Sequence, residues 1–249
     1  MTNTNQNEHY NQGMLPGGFV DIHTHILPGV DDGSPDYETS VQMLQDAYAD
    51  GTGTVVLTPH YKRGYTCGSA ESIRAQFAEF QAYIAEKLPV TLYLGTEAMY
   101  EMDLPQKLLD GEVLAMADSA FVLVEFRPSV SQDYLFNGIF SLTQCGYVPI
   151  LAHVERYECL KKEQIPELIE LGARIQVNVG SVMGAFGFRA KHFCRSILKA
   201  GYVDYVASDA HDTARRTAQL RQCAQYLEKR FGDEYADYIL RNGAAEFLD

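Results

Sequence analysis

From Phe19 onward, short apolar runs of β character alternate with longer stretches whose apolar positions recur every three to four residues. Residues 19–23 read as a first strand. Residues 37–50 read as a helix, with Val41, Leu44, Ala47 and Tyr48 on one stripe and Gly51 as its stop. A second strand over 54–58 ends at Pro59-His60. Ser69 then opens a helix to about residue 87 that buries Ile73, Phe77, Phe80 and Ile84. Five more strand-like runs follow, at 90–95, 121–124, 148–152, 173–178 and 203–207. Helical stretches lie at about 132–145, 163–171, 189–200, 216–231 and 233–241. Strand-then-helix order with short connections predicts parallel strands joined by right-handed crossovers. Seven such units predict an α/β fold in one domain, a closed or nearly closed barrel.

A length of 249 residues suits a single barrel, and 46% hydrophobic residues suffice for its core. No run approaches the length of a membrane span, so none is expected. Residues 1–18 are polar, rich in Asn, Gln and Gly, and lack the apolar stretch of a secretory signal; they read as a disordered leader before a domain at 19–249. The net charge of −13 argues against nucleic acid as a partner and is compatible with carboxylates gathered around cations. Cys67, Cys145, Cys159, Cys194 and Cys223 are scattered, odd in number and without a Cys-x-x-Cys pair, as expected of reduced thiols in a cytoplasmic protein.

The chemistry lies in where the ligand-type residues fall. His23, His25, His60, Glu97, Glu125, His153, Asp209 and His211 each stand at or just past the C-terminal end of an expected strand. In a parallel barrel those ends open on one face, the face where barrel active sites sit. A lone strand-end histidine such as His60 or His153 is more often structural, but separate structural roles would not select strand ends together. Five imidazoles and several carboxylates exceed what one tetrahedral ion needs, which implies two or three divalent ions; mixed ligation suits manganese, iron or zinc. Asp31 and Asp32 compete for one role past the Pro28-Gly29 turn. His9 and His192 lack the strand-end placement and read as non-functional. Arg156 and Arg216 are candidates to grip a phosphoryl or carboxyl group through paired hydrogen bonds, whereas Arg215 reads as a surface residue.

Other mechanisms lack their residues. Six positions after the cysteines stand Ile73, Leu151, Ile165, Ala200 and Lys229, so no thiolate has the arginine a cysteine-based phosphatase uses. There is no Gly-x-Ser-x-Gly elbow and no Gly-x-x-x-x-Gly-Lys loop. An amidohydrolase also begins with His-x-His but usually places a lysine where Glu125 stands. Hydrolysis by metal-activated water remains.

The runs Asp21-Ile22-His23-Thr24-His25-Ile26-Leu27-Pro28-Gly29-Val30-Asp31-Asp32-Gly33, Thr58-Pro59-His60, Ala152-His153-Val154-Glu155-Arg156-Tyr157 and Ala207-Ser208-Asp209-Ala210-His211 resemble the PHP (polymerase and histidinol phosphatase) superfamily. Within it the chain is similar to the manganese-dependent protein-tyrosine phosphatases of bacterial capsule and exopolysaccharide loci. The resemblance implies a distorted (β/α)7 TIM-like barrel holding three divalent ions, manganese with iron or zinc as alternatives. It implies His23, His25, Asp32, His60, Glu97, Glu125, His153, Asp209 and His211 as ligands. Arg156 and Arg216 would bind phosphate and stabilise charge, and a metal-bridging hydroxide would be the nucleophile. The implied substrate is phosphotyrosine on the C-terminal tail of a bacterial tyrosine autokinase; a histidinol-phosphate-type phosphatase with the same centre is the alternative. Tyr61, Lys62, Arg63, Tyr65, Phe186 and Phe188 are candidate rim residues for a peptide.

Overall fold

Among the described residues, 18–62 and 68–248 of the computed structural model, nine strand segments carry the chain. They are β1 (Phe19–Thr24), β2 (Thr52–Leu57), β3 (His60–Tyr61), β4 (Thr91–Leu94), β5 (Glu97–Met99), β6 (Phe121–Glu125), β7 (Val148–Leu151), β8 (Arg174–Asn178) and β9 (Tyr205–Ala207). Two parallel ladders form, β1-β2-β4 and β3-β5-β6-β7-β8-β9. β3 extends the line of β2, and β5 that of β4, because β2 pairs with β4 and β3 with β5. The ladders are therefore two parts of one curled parallel sheet. The first line breaks at Pro59, which has no N–H to give a ladder; Thr58 N–H turns instead to Thr24 O at 2.8 Å. Past β9 the chain meets β1 again, with Asp209 N–H donating to His23 O at 2.9 Å and His25 N–H to Ala210 O at 2.8 Å. The result is a single-domain α/β fold.

Alternation along the strands decides which side chains face the helices and which face inward. On β6, Val122 and Val124 belong to the large helix-backed core, while Leu123 joins a small inner cluster with Ile22, Val56, Ile150 and Ala207. Glu125 is two residues past Leu123, and Asp209 two past Ala207, so both carboxylates continue the inward row beyond the apolar plug.

The helices are started by their caps. Asp36, Ser69 and Ser131 accept N–H groups of Thr39, Ser72 and Tyr134 at 2.8, 3.3 and 3.3 Å, opening Tyr37–Ala49, Ala70–Ala85 and Gln132–Gln144. In the first helix the buried stripe is Ser40, Met43, Leu44 and Ala47; Tyr48 is exposed and Val41 only half-buried, one position off the expected stripe. The helix expected over 216–231 begins at Arg221. Before it, Asp212 Oδ1 accepts the N–H groups of Ala214, Arg215 and Arg216, and Arg216 O accepts His211 N–H, which folds this stretch into a loop over the sheet end. Among the described residues no helix is long and apolar enough to cross a membrane. Residues 1–17, which include His9 and most of the expected leader, and the rim candidates Arg63 and Tyr65 lie outside the described residues.

Candidate metal and phosphate site

The strand ends bring all nine expected ligand residues to one place. His23 Nε2 and His25 Nε2 point at each other, 3.3 Å apart, and each lies 3.2 Å from Glu97 Oε2 and 3.5 Å from Asp209 Oδ1. His60 Nδ1 is 3.0 Å from Glu97 Oε2 and 3.4 Å from Glu125 Oε1. His153 Nε2 reaches Glu97 Oε1 at 2.7 Å and Glu125 Oε2 at 3.8 Å. Asp32 Oδ1 stands 3.5 Å from His60 Nε2 and 3.6 Å from His211 Nε2. Donors about 2.1 Å from a tetrahedral ion are themselves about 3.4 Å apart, so these spacings are those of a ligand shell. Three overlapping groups, His23-His25-Glu97, His25-Asp32-His60-His211 and His60-Glu97-Glu125, each offer donor atoms close enough to hold one ion.

The histidines and carboxylates of the cluster set one another's protonation. Burial and the positive charge of His25 push the His211 imidazole down to about 3. His211 is therefore neutral, and its buried Nε2 has no hydrogen-bond partner among the described residues. Burial opposes charge on Glu97 and Asp209, but the surrounding histidines, with Arg156 beside Asp209, hold both well below the usual carboxylate range. Burial likewise opposes charge on His25 and His60. The carboxylates around them nonetheless raise His25 well above its ordinary value and His60 to about 9.

The loop from Ile26 to Ser34 turns the two aspartates in different directions. Asp31 is turned inward: Oδ2 accepts from His25 Nδ1 at 2.6 Å and from His60 N–H at 2.9 Å, and Oδ1 accepts from Gly33 N–H at 3.0 Å. It holds the His25 ring with Nε2 toward the cluster. Asp32, 47% exposed, is the one facing His60 and His211. Gly33 is required because a Cβ there would lie 2.1 Å from His25 O.

The arginines converge although 60 residues separate them in the chain. Arg156 Nη2 and Arg216 Nη2 both bind Asp209 Oδ2, at 2.7 and 2.6 Å, and are about one-third exposed. His153 and Asp209 take left-handed backbone (φ 34° and 56°), which few non-glycine residues do outside functional sites.

A model of the family described as capsular polysaccharide synthesis, CpsB/CapC, matches residues 19–249. The chain belongs to the CpsB/CapC family. It is 31% identical over 234 residues to tyrosine-protein phosphatase YwqE of Bacillus subtilis, covering 90% of this chain and 92% of that protein. It is also 31% identical over 227 residues to tyrosine-protein phosphatase CpsB of Streptococcus pneumoniae, covering 88% and 93%. The crystal structures of YwqE and CpsB, described as unique metal-dependent tyrosine phosphatases, match with a TM-score of 0.85 at 30% identity over 92% of this chain and 94% of that one.

Two side chains in this CpsB/CapC site carry no motif. Gln176 Oε1 pairs with His23 Nδ1 at 3.2 Å and accepts His153 N–H at 2.8 Å, and its amide donates to Asn178 Oδ1 at 2.8 Å. Asn178 Nδ2 donates to Asp209 Oδ2 at 2.6 Å. These amides fix His23 and Asp209 from below. Their signal is two polar residues at i and i+2 in the otherwise apolar segment Ile175-Gln176-Val177-Asn178, both fully buried. No described cysteine joins the site chemistry: burial raises the Cys194 thiol well above its ordinary value and pushes Cys223 up to about 12.

Proposed function

We propose that this CpsB/CapC chain is a metal-dependent protein-tyrosine phosphatase of the PHP type, acting on phosphotyrosine in the C-terminal tail of a bacterial tyrosine autokinase and so regulating capsule or exopolysaccharide synthesis. The observation that carries the reading is the meeting of Arg156 and Arg216 on Asp209 Oδ2, beside the facing donors of His23, His25 and Glu97. It supports a trinuclear centre ligated by His23, His25, Asp32, His60, Glu97, Glu125, His153, Asp209 and His211. Manganese is the metal we assign, since imidazole and carboxylate donors are mixed. The β9-to-β1 hydrogen bonds support closure into a distorted seven-unit barrel. We assign residues 1–18 to a leader and 19–249 to the catalytic domain. The cytoplasm is the compartment we assign, which suits the unpaired thiols of Cys145, Cys159, Cys194 and Cys223.

When bound, the ions supply Lewis-acid polarisation of the phosphoryl group and ionise water near neutral pH. The chain's own residues do the rest. Arg156 and Arg216, held ready by Asp209, take the non-bridging oxygens and stabilise the charge that spreads over them during in-line displacement. Asn178 and Gln176 keep Asp209 and His23 in place, and Asp31 keeps His25 oriented. The leaving tyrosyl oxygen, with a pKa of about 10, asks for modest protonation only.

Turnover of a phosphotyrosyl peptide, a phosphoseryl peptide and histidinol phosphate by the manganese-loaded protein tests the reading. Preference for the phosphotyrosyl peptide is expected. Preference for histidinol phosphate would retain the chemistry and overturn the substrate.

A further inference from the structure

Gly184 closes the short helix Val179–Met183 and Gly187 precedes the helix Phe188–Leu198; both glycines take left-handed backbone, φ 99° and 92°. The turn between them carries Phe186, 49% exposed. Gly184 and Ala185 donate their N–H groups to Gly180 O at 2.9 and 2.7 Å, which draws the turn back over the end of β8. The ring of Phe186 then lies on Gly180, where a Cβ would come within 2.5 Å of it. In that position the Arg156 guanidinium stands over the ring face, 5.7 Å from its centroid. Neighbouring Phe188 differs, stacking on His192 of its own helix at 6.0 Å.

We propose that Phe186 is a specificity-determining residue: it forms the wall against which the aryl ring of the substrate's phosphotyrosine packs. The proposal rests on the reading of Arg156 as a phosphate-binding group. A phosphotyrosyl ring is joined to phosphorus through one ester oxygen, so a phosphate held by Arg156 delivers that ring beside the guanidinium. Phe186 is already there, its centroid 5.7 Å from that guanidinium, and aromatic pairs favour centroids about 4.5–7 Å apart. A phosphoseryl group brings no ring to this wall. Phe186 thus favours aryl over alkyl phosphates without touching phosphorus.

Steady-state kinetics of Phe186→Ala and Phe186→Tyr, with inorganic phosphate as competitive inhibitor, test this. Phe186→Ala is expected to raise KM for a phosphotyrosyl peptide about 3- to 10-fold, leaving the phosphate inhibition constant unchanged. Phe186→Tyr is expected to restore KM. Parallel weakening of phosphate would show that the ring only props Arg156 and would overturn the wall; so would an unchanged KM. If the unaltered enzyme does not cleave the peptide, the phosphatase reading fails and the wall with it. If it does and Phe186→Ala matches it, the wall alone fails.

Discussion

Asp31 holds His25 by its Nδ1 while Asp32 faces His60 and His211, so adjacent carboxylates take different places, one behind a histidine and one in front of two. Removing an orienting partner of a metal-binding histidine typically costs about 10- to 100-fold in metal affinity. Asp31→Ala is expected to show that loss in a titration against a competing chelator. Arg156 and Arg216 should behave differently, because among the described residues their guanidinium groups bond to the cluster at Asp209 Oδ2. Losing hydrogen bonds to a charged group costs about 10- to 100-fold, so Arg156→Ala is expected to lower kcat/KM for a phosphotyrosyl peptide by that factor. Metal content should stay intact, and its loss would reassign Arg156 to the metal shell. At this scale the strand-end histidines and acids were legible because chemistry-bearing types recur at one structural position. Gln176 and Asn178 were not, because two amides at i and i+2 of an apolar run signal buried polar groups without naming the chemistry they support.

At the level of elements, the strand lines and the longer helices follow from periodicity and from caps such as Asp36, Ser69 and Ser131. The resumption of the lines past Pro59 and Thr96 does not, since β3 and β5 are two- and three-residue strands held by pairing partners far along the chain. The late start of the helix at Arg221 was hidden for a similar reason: Asp212 captures three N–H groups that a helix would otherwise use. The N-terminal end of the β8–β9 seam, opposite to the end that carries Asn178 and Asp209, has a titration of its own. Burial raises the Asp204 carboxyl from 3.8 to about 6; Ile175 N–H at 2.7 Å and Arg174 at 4.0 Å pull against that rise, and Glu246 adds to it. The folded state therefore holds this proton where the unfolded chain has released it. Its contribution to stability is complete below about pH 4 and is lost as pH rises through about 6. Asp204→Asn keeps an acceptor for Ile175 and removes the titration. Relative to the unaltered protein it is expected to gain about 2 kcal/mol between pH 4 and 7 by urea unfolding; a constant difference would refute the shift.

For the molecule as a whole, the curled parallel sheet gathers onto one face residues drawn from His23 to Arg216, and the apolar inner cluster beneath them excludes water from the floor of the site. That gathering was readable from the sequence because parallel strands share one C-terminal end. The meeting of the two arginines on a single carboxylate oxygen was not, since it depends on the loop that Asp212 folds. The assembled cluster buries Glu97 and Asp209 among histidines whose donor atoms face one another, a set that could hold metal ions. Metal analysis of protein purified without chelator is the decisive test, paired with phosphotyrosyl-peptide turnover before EDTA, after EDTA and after manganese is restored. About three ions per chain are expected, with turnover abolished by EDTA and recovered with manganese. Fewer than about two ions per chain, or turnover that survives EDTA, would contradict a metal-dependent phosphatase.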